Sequence, residues 1–340
     1  MGLTKIGWTG TIAPDGSIRP GYTFNAWIGC THKVDEDEGK PRVDPACGNC
    51  YAEFMMDVRY GRVKWGKGQP RHRTTPQNWR NPLKWDKQAQ ADRVRDKVFS
   101  LSLGDWLDDE VPIEWLADLL HLTQQTPNLD WLLLTKRIED WGDRLEQVAH
   151  LEHPASEFAQ SWLKGKAPAN IWMGVTCGDQ WSADKRIPLL LNIPAIVRFI
   201  SFEPLKEEID ITRWTHLLPC PQHPNERAAG WGHLECDCRE FFNKHVANGR
   251  PSISWGIIGG ESNGEETHIE HMRSLLRQLQ LANISAFVKQ LGSKPFLNGQ
   301  PYPLSKKNSK GEALEEMPED MRVQEFPVPN FSALEVVNGI

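Results

Sequence analysis

The chain has 340 residues, with 39 Lys and Arg against 45 Asp and Glu and a formal net charge of −6. That balance excludes a protein that binds polyanions with its whole surface, and the length allows one large α/β domain or two smaller ones around a sizeable core. No apolar run reaches the length of a membrane span, and Met1 to Ile6 lack the apolar stretch of a signal peptide, so a cytoplasmic protein without a membrane partner is expected.

The first chemical feature is Cys30, in Trp27-Ile28-Gly29-Cys30-Thr31-His32. After sixteen intervening residues come Cys47-Gly48-Asn49-Cys50-Tyr51-Ala52-Glu53. Three thiolates leave a tetrahedral zinc one ligand short, and His32 is the candidate fourth. An iron–sulfur cluster held by the same three would keep one iron open. By spacing alone the two stand level. Seven cysteines, in two tight groups plus a lone Cys177, suit metal sites better than disulfides.

Between Arg59 and Lys87 nine Lys or Arg face a single acidic residue, Asp86, and Trp65, Trp79 and Trp85 punctuate the run. Cations neutralise phosphates and indole faces stack on unpaired bases, which makes Arg71, Arg73, Trp79 and Arg80 the candidate nucleic-acid contacts. The plain alternative is a solvated basic face over tryptophans tucked into the core.

From residue 98 short apolar runs alternate with amphipathic stretches. The runs Val98–Leu103, Trp131–Thr135, Ile171–Val175, Ile196–Phe202, Trp255–Ile258 and Ala286–Val288 predict strands buried on both faces. Helical spacing covers Ile113–Leu122, Asp184–Leu191 and Ile269–Leu281. This rhythm predicts an α/β fold of right-handed parallel crossovers. The expected form is a full or partial (β/α) TIM-like barrel with an N-terminal cysteine-loop segment and a small Cys/His insertion; a doubly wound open sheet is the alternative. Residues 1–97 form the cysteine-motif and basic segment, 98–291 the barrel core, and 292–340 a C-terminal extension.

Barrels carry function at the C-terminal ends of their strands. Gly104, Asp105, Lys136, Thr176, Glu203, Gly259, Gly260, Glu261 and Lys289 occupy such ends. Gly259-Gly260 would let backbone approach a ligand closely; the plain reading is a tight turn capped by Glu261. An insertion at about 214–250 breaks the rhythm and holds Cys220, His223, Cys236 and Cys238. These make a candidate zinc knuckle, with reduced, metal-free thiols as the alternative.

The run Trp-x-Gly-Cys followed by Cys-x2-Cys-Tyr-Ala-Glu, at Trp27–Cys30 and Cys47–Glu53, resembles the three-cysteine-motif phage protein family, which is similar to the radical S-adenosylmethionine enzymes. Those relatives space their cysteines more tightly, Cys-x3-Cys-x2-Cys, whereas here a loop must close the gap. The resemblance implies a [4Fe-4S] cluster on Cys30, Cys47 and Cys50, S-adenosyl-L-methionine on its open iron, and an electron donor that triggers release of a 5′-deoxyadenosyl radical. It implies cofactor contacts at Gly104, Asp105, Thr176, Gly259, Gly260 and Glu261. Lys136, Glu203, Glu261 and Lys289 are the expected substrate or cofactor contacts. A phage setting implies a nucleotide or nucleic-acid base as substrate, flipped out, single-stranded or free. Two other readings stay open. One is a zinc-dependent nucleic-acid-processing enzyme. The other is a non-enzymatic, metal-stabilised nucleic-acid-binding protein serving a partner protein.

Overall fold

The computed structural model describes residues 2–37, 39–215 and 252–329. The chain divides into two compact units. One comprises Met1–Thr176 with Ile193–Val197 and Pro329–Ile340, the other Cys177–Asn192 with Arg198–Val328.

In the first unit the strands β1 (Gly2–Leu3), β2 (Tyr22–Phe24), β3 (Asp96–Ser100), β4 (Leu129–Thr135) and β5 (Ile171–Thr176) lie side by side in that order. All neighbours from β2 to β5 run parallel, with Tyr22 and Trp131 both opposite Val98, and Trp131 also opposite Ile171. The helices α1 (Asn81–Asp92), α2 (Ile113–Gln124), α3 (Trp141–Ala149) and α4 (Ser156–Leu163) fill the connections. Every residue of β5 and all but Leu134 of β4 are buried, which is why these strands read as continuous apolar runs rather than alternating ones. The stripe Leu116, Leu119, Leu120 and Thr123 turns α2 onto the core. Indoles fill much of the interior: Trp131 and Trp79 each set an edge against Phe24, at 5.6 and 5.5 Å, and Trp106 stacks on Trp162 at 6.3 Å.

The first unit departs from a closed barrel at its edge. There β1 pairs antiparallel with β2 and takes the place that a further parallel strand would occupy. What the strands establish is a mixed α/β architecture with consecutive parallel strands.

The second unit carries β6 (Val197–Phe202), β7 (Trp255–Gly259) and β8 (Ser285–Gln290), again parallel, with the helices α5 (Gln180–Asn192) and α6 (Ile269–Leu281). Ile269, Met272, Leu275, Leu276 and Leu279 form the buried stripe of α6. A Cβ at Gly256 would come within 2.4 Å of Leu279 Cδ1, so the glycine is what lets helix and strand close up. After β8 the chain continues in structure: Lys294–Leu297 pairs with Glu266–His268 and Gln300–Pro301, and the Trp255 indole donates to the Glu325 carbonyl at 2.9 Å. Cys220, His223, Cys236 and Cys238 of the expected insertion lie outside the described residues. Among the described residues, no helix is long and apolar enough to cross a membrane.

Candidate metal centre and the polar strand ends

A hairpin closes the gap between Cys30 and the Cys-x2-Cys pair. Val34–Asp37 pairs antiparallel with Lys40–Val43, and the Asp44 amide donates to the Lys33 carbonyl at 2.9 Å. Sixteen residues of sequence thus return the chain almost to its starting point. Asp44 then caps the short helix Pro45–Gly48, accepting from the Ala46 amide at 2.9 Å, and Cys47 sits buried within that turn. Cys50 is the residue before the next helical turn, Tyr51–Glu53. On the other side Trp27–Ile28 pairs with His72–Arg73, and Gly29, at φ +115°, turns the chain so that its amide reaches the Leu103 carbonyl at 3.0 Å. Gly104 packs directly on this turn, where a Cβ would lie 3.3 Å from the Trp27 indole.

The three thiols therefore line one pocket, together with His32, Asp105, Lys136 and Arg137. Its volume of about 80 Å³ is several times what one water requires. Burial, with Asp105 and Asp108 nearby, pushes the Cys30 thiol well above the ordinary range, and burial raises Cys47 too. Both stay protonated at neutral pH until something replaces the proton, as a bound metal does. For Lys136 burial acts against the charge, but the thiolate forms of Cys47 and Cys50, together with Asp44 and Asp105, outweigh it and hold the ammonium above the lysine range. Arg137 is likewise favoured as a cation by Asp105 and Cys30 against the cost of its burial.

This donor set fits a thiolate-bound metal group by chemistry: three thiols with two cations to offset their charge. As placed, no three His, Cys, Asp or Glu side chains among the described residues are grouped closely enough to enclose an ion, so a shared metal requires the thiols to turn toward one another. His32 is held by Glu53, with 2.7 Å between Nε2 and Oε2.

Asp105 is the anchor of this pocket. One carboxylate oxygen accepts from the Thr135 hydroxyl at 2.7 Å and the Leu107 amide at 3.0 Å, the other from the Lys136 amide at 3.0 Å. Thr176, buried at the end of β5, is not among the residues lining the pocket.

In the second unit Glu203 and Lys289 form an ion pair of 2.8 Å between the ends of β6 and β8, with the Ser201 hydroxyl donating to Glu203 at 3.2 Å. Gly259 makes room for that carboxylate, since a Cβ there would sit 2.5 Å from Glu203 Oε1. Gly260 serves packing instead: its amide donates to the Gln290 carbonyl, and a Cβ would fall 2.3 Å from the Leu291 carbonyl oxygen. Glu261 caps the turn, accepting from the Ser262 and Asn263 amides at 2.8 and 3.1 Å, and pairs with Lys206 at 2.6 Å. Lys206 was not a candidate on sequence grounds, because nothing in its spacing marks it as Glu261's partner. Cys177 is buried in this unit.

The basic segment splits. Arg71 is buried and all five of its N–H donors are taken, by Asp108, Thr31 and the Gly66 and Gln69 carbonyls. It has no donor left for a phosphate. Arg73 lies over the Trp79 ring at 4.4 Å and pairs with Asp118 at 2.6 Å, and Arg80 is exposed. Asp108 and Thr31, which sequence reasoning passed over, are what hold Arg71 in place.

Neither a curated protein nor a solved structure matches the chain. A family model described as a protein of unknown function, DUF5131, matches residues 4–321, nearly the whole length, and the protein belongs to that family.

Proposed function

We propose that the protein is a radical S-adenosylmethionine-type iron–sulfur enzyme acting on a nucleotide or nucleic-acid base in a phage or prophage setting, with Cys30, Cys47 and Cys50 as the cluster ligands. The observation that carries this reading is that three thiols and two cations, Lys136 and Arg137, line one pocket. Thiolates and cluster bring negative charge into a half-buried site, and the two cations offset it. Held by Cys30, Cys47 and Cys50, the cluster with S-adenosyl-L-methionine would supply hydrogen-atom abstraction from the substrate, with an external donor giving the electron that cleaves the sulfonium and methionine leaving.

The chain's own part is to hold and orient. Asp105 ties the Lys136 backbone to the neighbouring strand end, so the ammonium is carried on a fixed position. The Trp27 indole packed on Gly104 helps keep water from one side of the pocket. The scaffold of this reading is the β/α repeat, in which polar residues at strand ends carry the chemistry, extended as a partial barrel.

One observation favours a second reading. His32 lines the thiol pocket and has a carboxylate, Glu53, on one ring nitrogen, which is how zinc-bound histidines are commonly oriented. Zinc on the thiols and His32 would then support metal-assisted chemistry on nucleic acid. Anaerobic purification decides: a brown protein absorbing near ~400 nm, as thiolate-ligated clusters do, that yields 5′-deoxyadenosine and methionine under reductant supports the first reading. A colourless protein with stoichiometric zinc sinks it.

A further inference from the structure

We propose that the exposed face of residues 51–67 binds single-stranded nucleic acid, with unpaired bases stacked on Phe54 and Tyr60 and phosphates held by Arg59, Arg62 and Lys67. The proposal deepens the reading of the thiol pocket and rests on it only for the class of substrate.

The turns Tyr51–Glu53 and Phe54–Arg59 bury Ala52 and Met56 and leave the opposite side to solvent. Tyr51 is 60% exposed, Phe54 54%, Val58 69% and Tyr60 46%. Large apolar groups gathered so closely on a surface mark a binding site. The charge around them says what covers it. Arg59 and Arg62 lie over the Tyr60 ring, at 5.5 and 5.0 Å from its centre. Both are exposed, as is Lys67, and among the described residues none of the three has an acidic partner. Of the two carboxylates in this segment, Asp57 is held by Lys64 at 2.8 Å and by the Trp65 amide, and Glu53 by His32 at 2.7 Å.

Aromatic faces interleaved with unpaired guanidinium groups complement a chain of bases and phosphates, and an apolar protein surface would leave those cations desolvated. Position fits as well: Tyr51 follows Cys50 directly, so a strand lying on Phe54 runs beside the pocket. Arg71, wholly committed inside the protein, is replaced by these residues as the phosphate contacts.

The test is fluorescence anisotropy with a labelled single-stranded DNA of about 20 nucleotides, the length of one or a few such sites, and with the same strand in duplex. The full-length protein is titrated at several salt concentrations. The single strand is expected to bind more tightly than the duplex. Phe54→Ala with Tyr60→Ala weakens single-strand binding by about 30-fold or more, at about 5-fold or more for each stacking partner removed. Arg59→Ser with Arg62→Ser lowers the salt slope by about 1.4, at 0.7 per phosphate contact. Three results would overturn the proposal: no binding at low salt, binding that is indifferent to the aromatic pair, or self-association in solution that Phe54→Ala abolishes. Melting temperature and metal content measured on each variant separate loss of this surface from failure of the metal reading.

Discussion

Arg71 and Asp108 form a two-pronged ion pair in the interior, Nε to Oδ2 at 2.7 Å and Nη2 to Oδ1 at 3.2 Å, with neither side chain reaching solvent. The Arg71 guanidinium also donates to the Thr31 hydroxyl, one residue beyond Cys30. The pair thus fastens the segment after the thiols to the loop after β3.

Removing one member leaves the other charge buried and unpaired. Arg71→Ala is expected to cost about 3–5 kcal/mol in a denaturant titration. Arg71→Lys falls well short of wild type because a single ammonium cannot reproduce the fork. The double variant Arg71→Met with Asp108→Leu should recover most of the loss. An Arg71→Ala protein as stable as wild type would mean the pair carries no structural weight.

Metal content tests the thiols individually. Cys30→Ser, Cys47→Ser and Cys50→Ser should each strip the metal, while Cys177→Ser, buried in the second unit, keeps it. Glu53→Gln separates the metals: behind a zinc-bound His32 it weakens affinity by about 10- to 100-fold, and a cluster on thiolates alone is unmoved. Equal metal in the Cys47→Ser protein would remove the site from this pocket.

Lys97 makes stability depend on alkaline pH. Its side chain is buried on β3 and donates to the Gly10 carbonyl at 2.8 Å. Burial, only partly countered by Asp130 and Asp96, lowers its ammonium to about 8. The unfolded value is about 10.4. Below pH ~8 both states hold the proton and the burial cost is fully present. Between the two values the unfolded chain binds more protons, so stability should rise with pH, by about 3 kcal/mol in all. Lys97→Met should flatten that rise; urea midpoints at several alkaline pH values read it directly.

The paired glycines should behave differently from each other. Gly260→Ala drives a methyl into the Leu291 backbone and is expected to lower the melting temperature sharply. Gly259→Ala meets the Glu203 side chain instead, which can swing away. Its expected signature is a small change in melting temperature with a loss of turnover that matches Glu203→Gln. Matching thermal losses in both would remove the distinction.

Local pattern alone located all six strands from β3 to β8 and the helices α2, α5 and α6, to within a few residues, because burial on both faces or along one stripe writes itself into neighbouring positions. Residue type also singled out Cys30, Cys47 and Cys50, and the structure brings the three to one pocket. What only the tertiary structure decided are the partnerships between distant positions. Arg71 looked like a phosphate contact until Asp108 claimed it, Glu203 found Lys289 across 86 positions, and the N-terminal strand opened the edge of the expected barrel. Phe54 and Tyr60, which no spacing singles out, became a surface only when Ala52 and Met56 took the inward side. Charge pairing and exposure depend on which parts of the chain meet in space, and spacing along the sequence does not encode that.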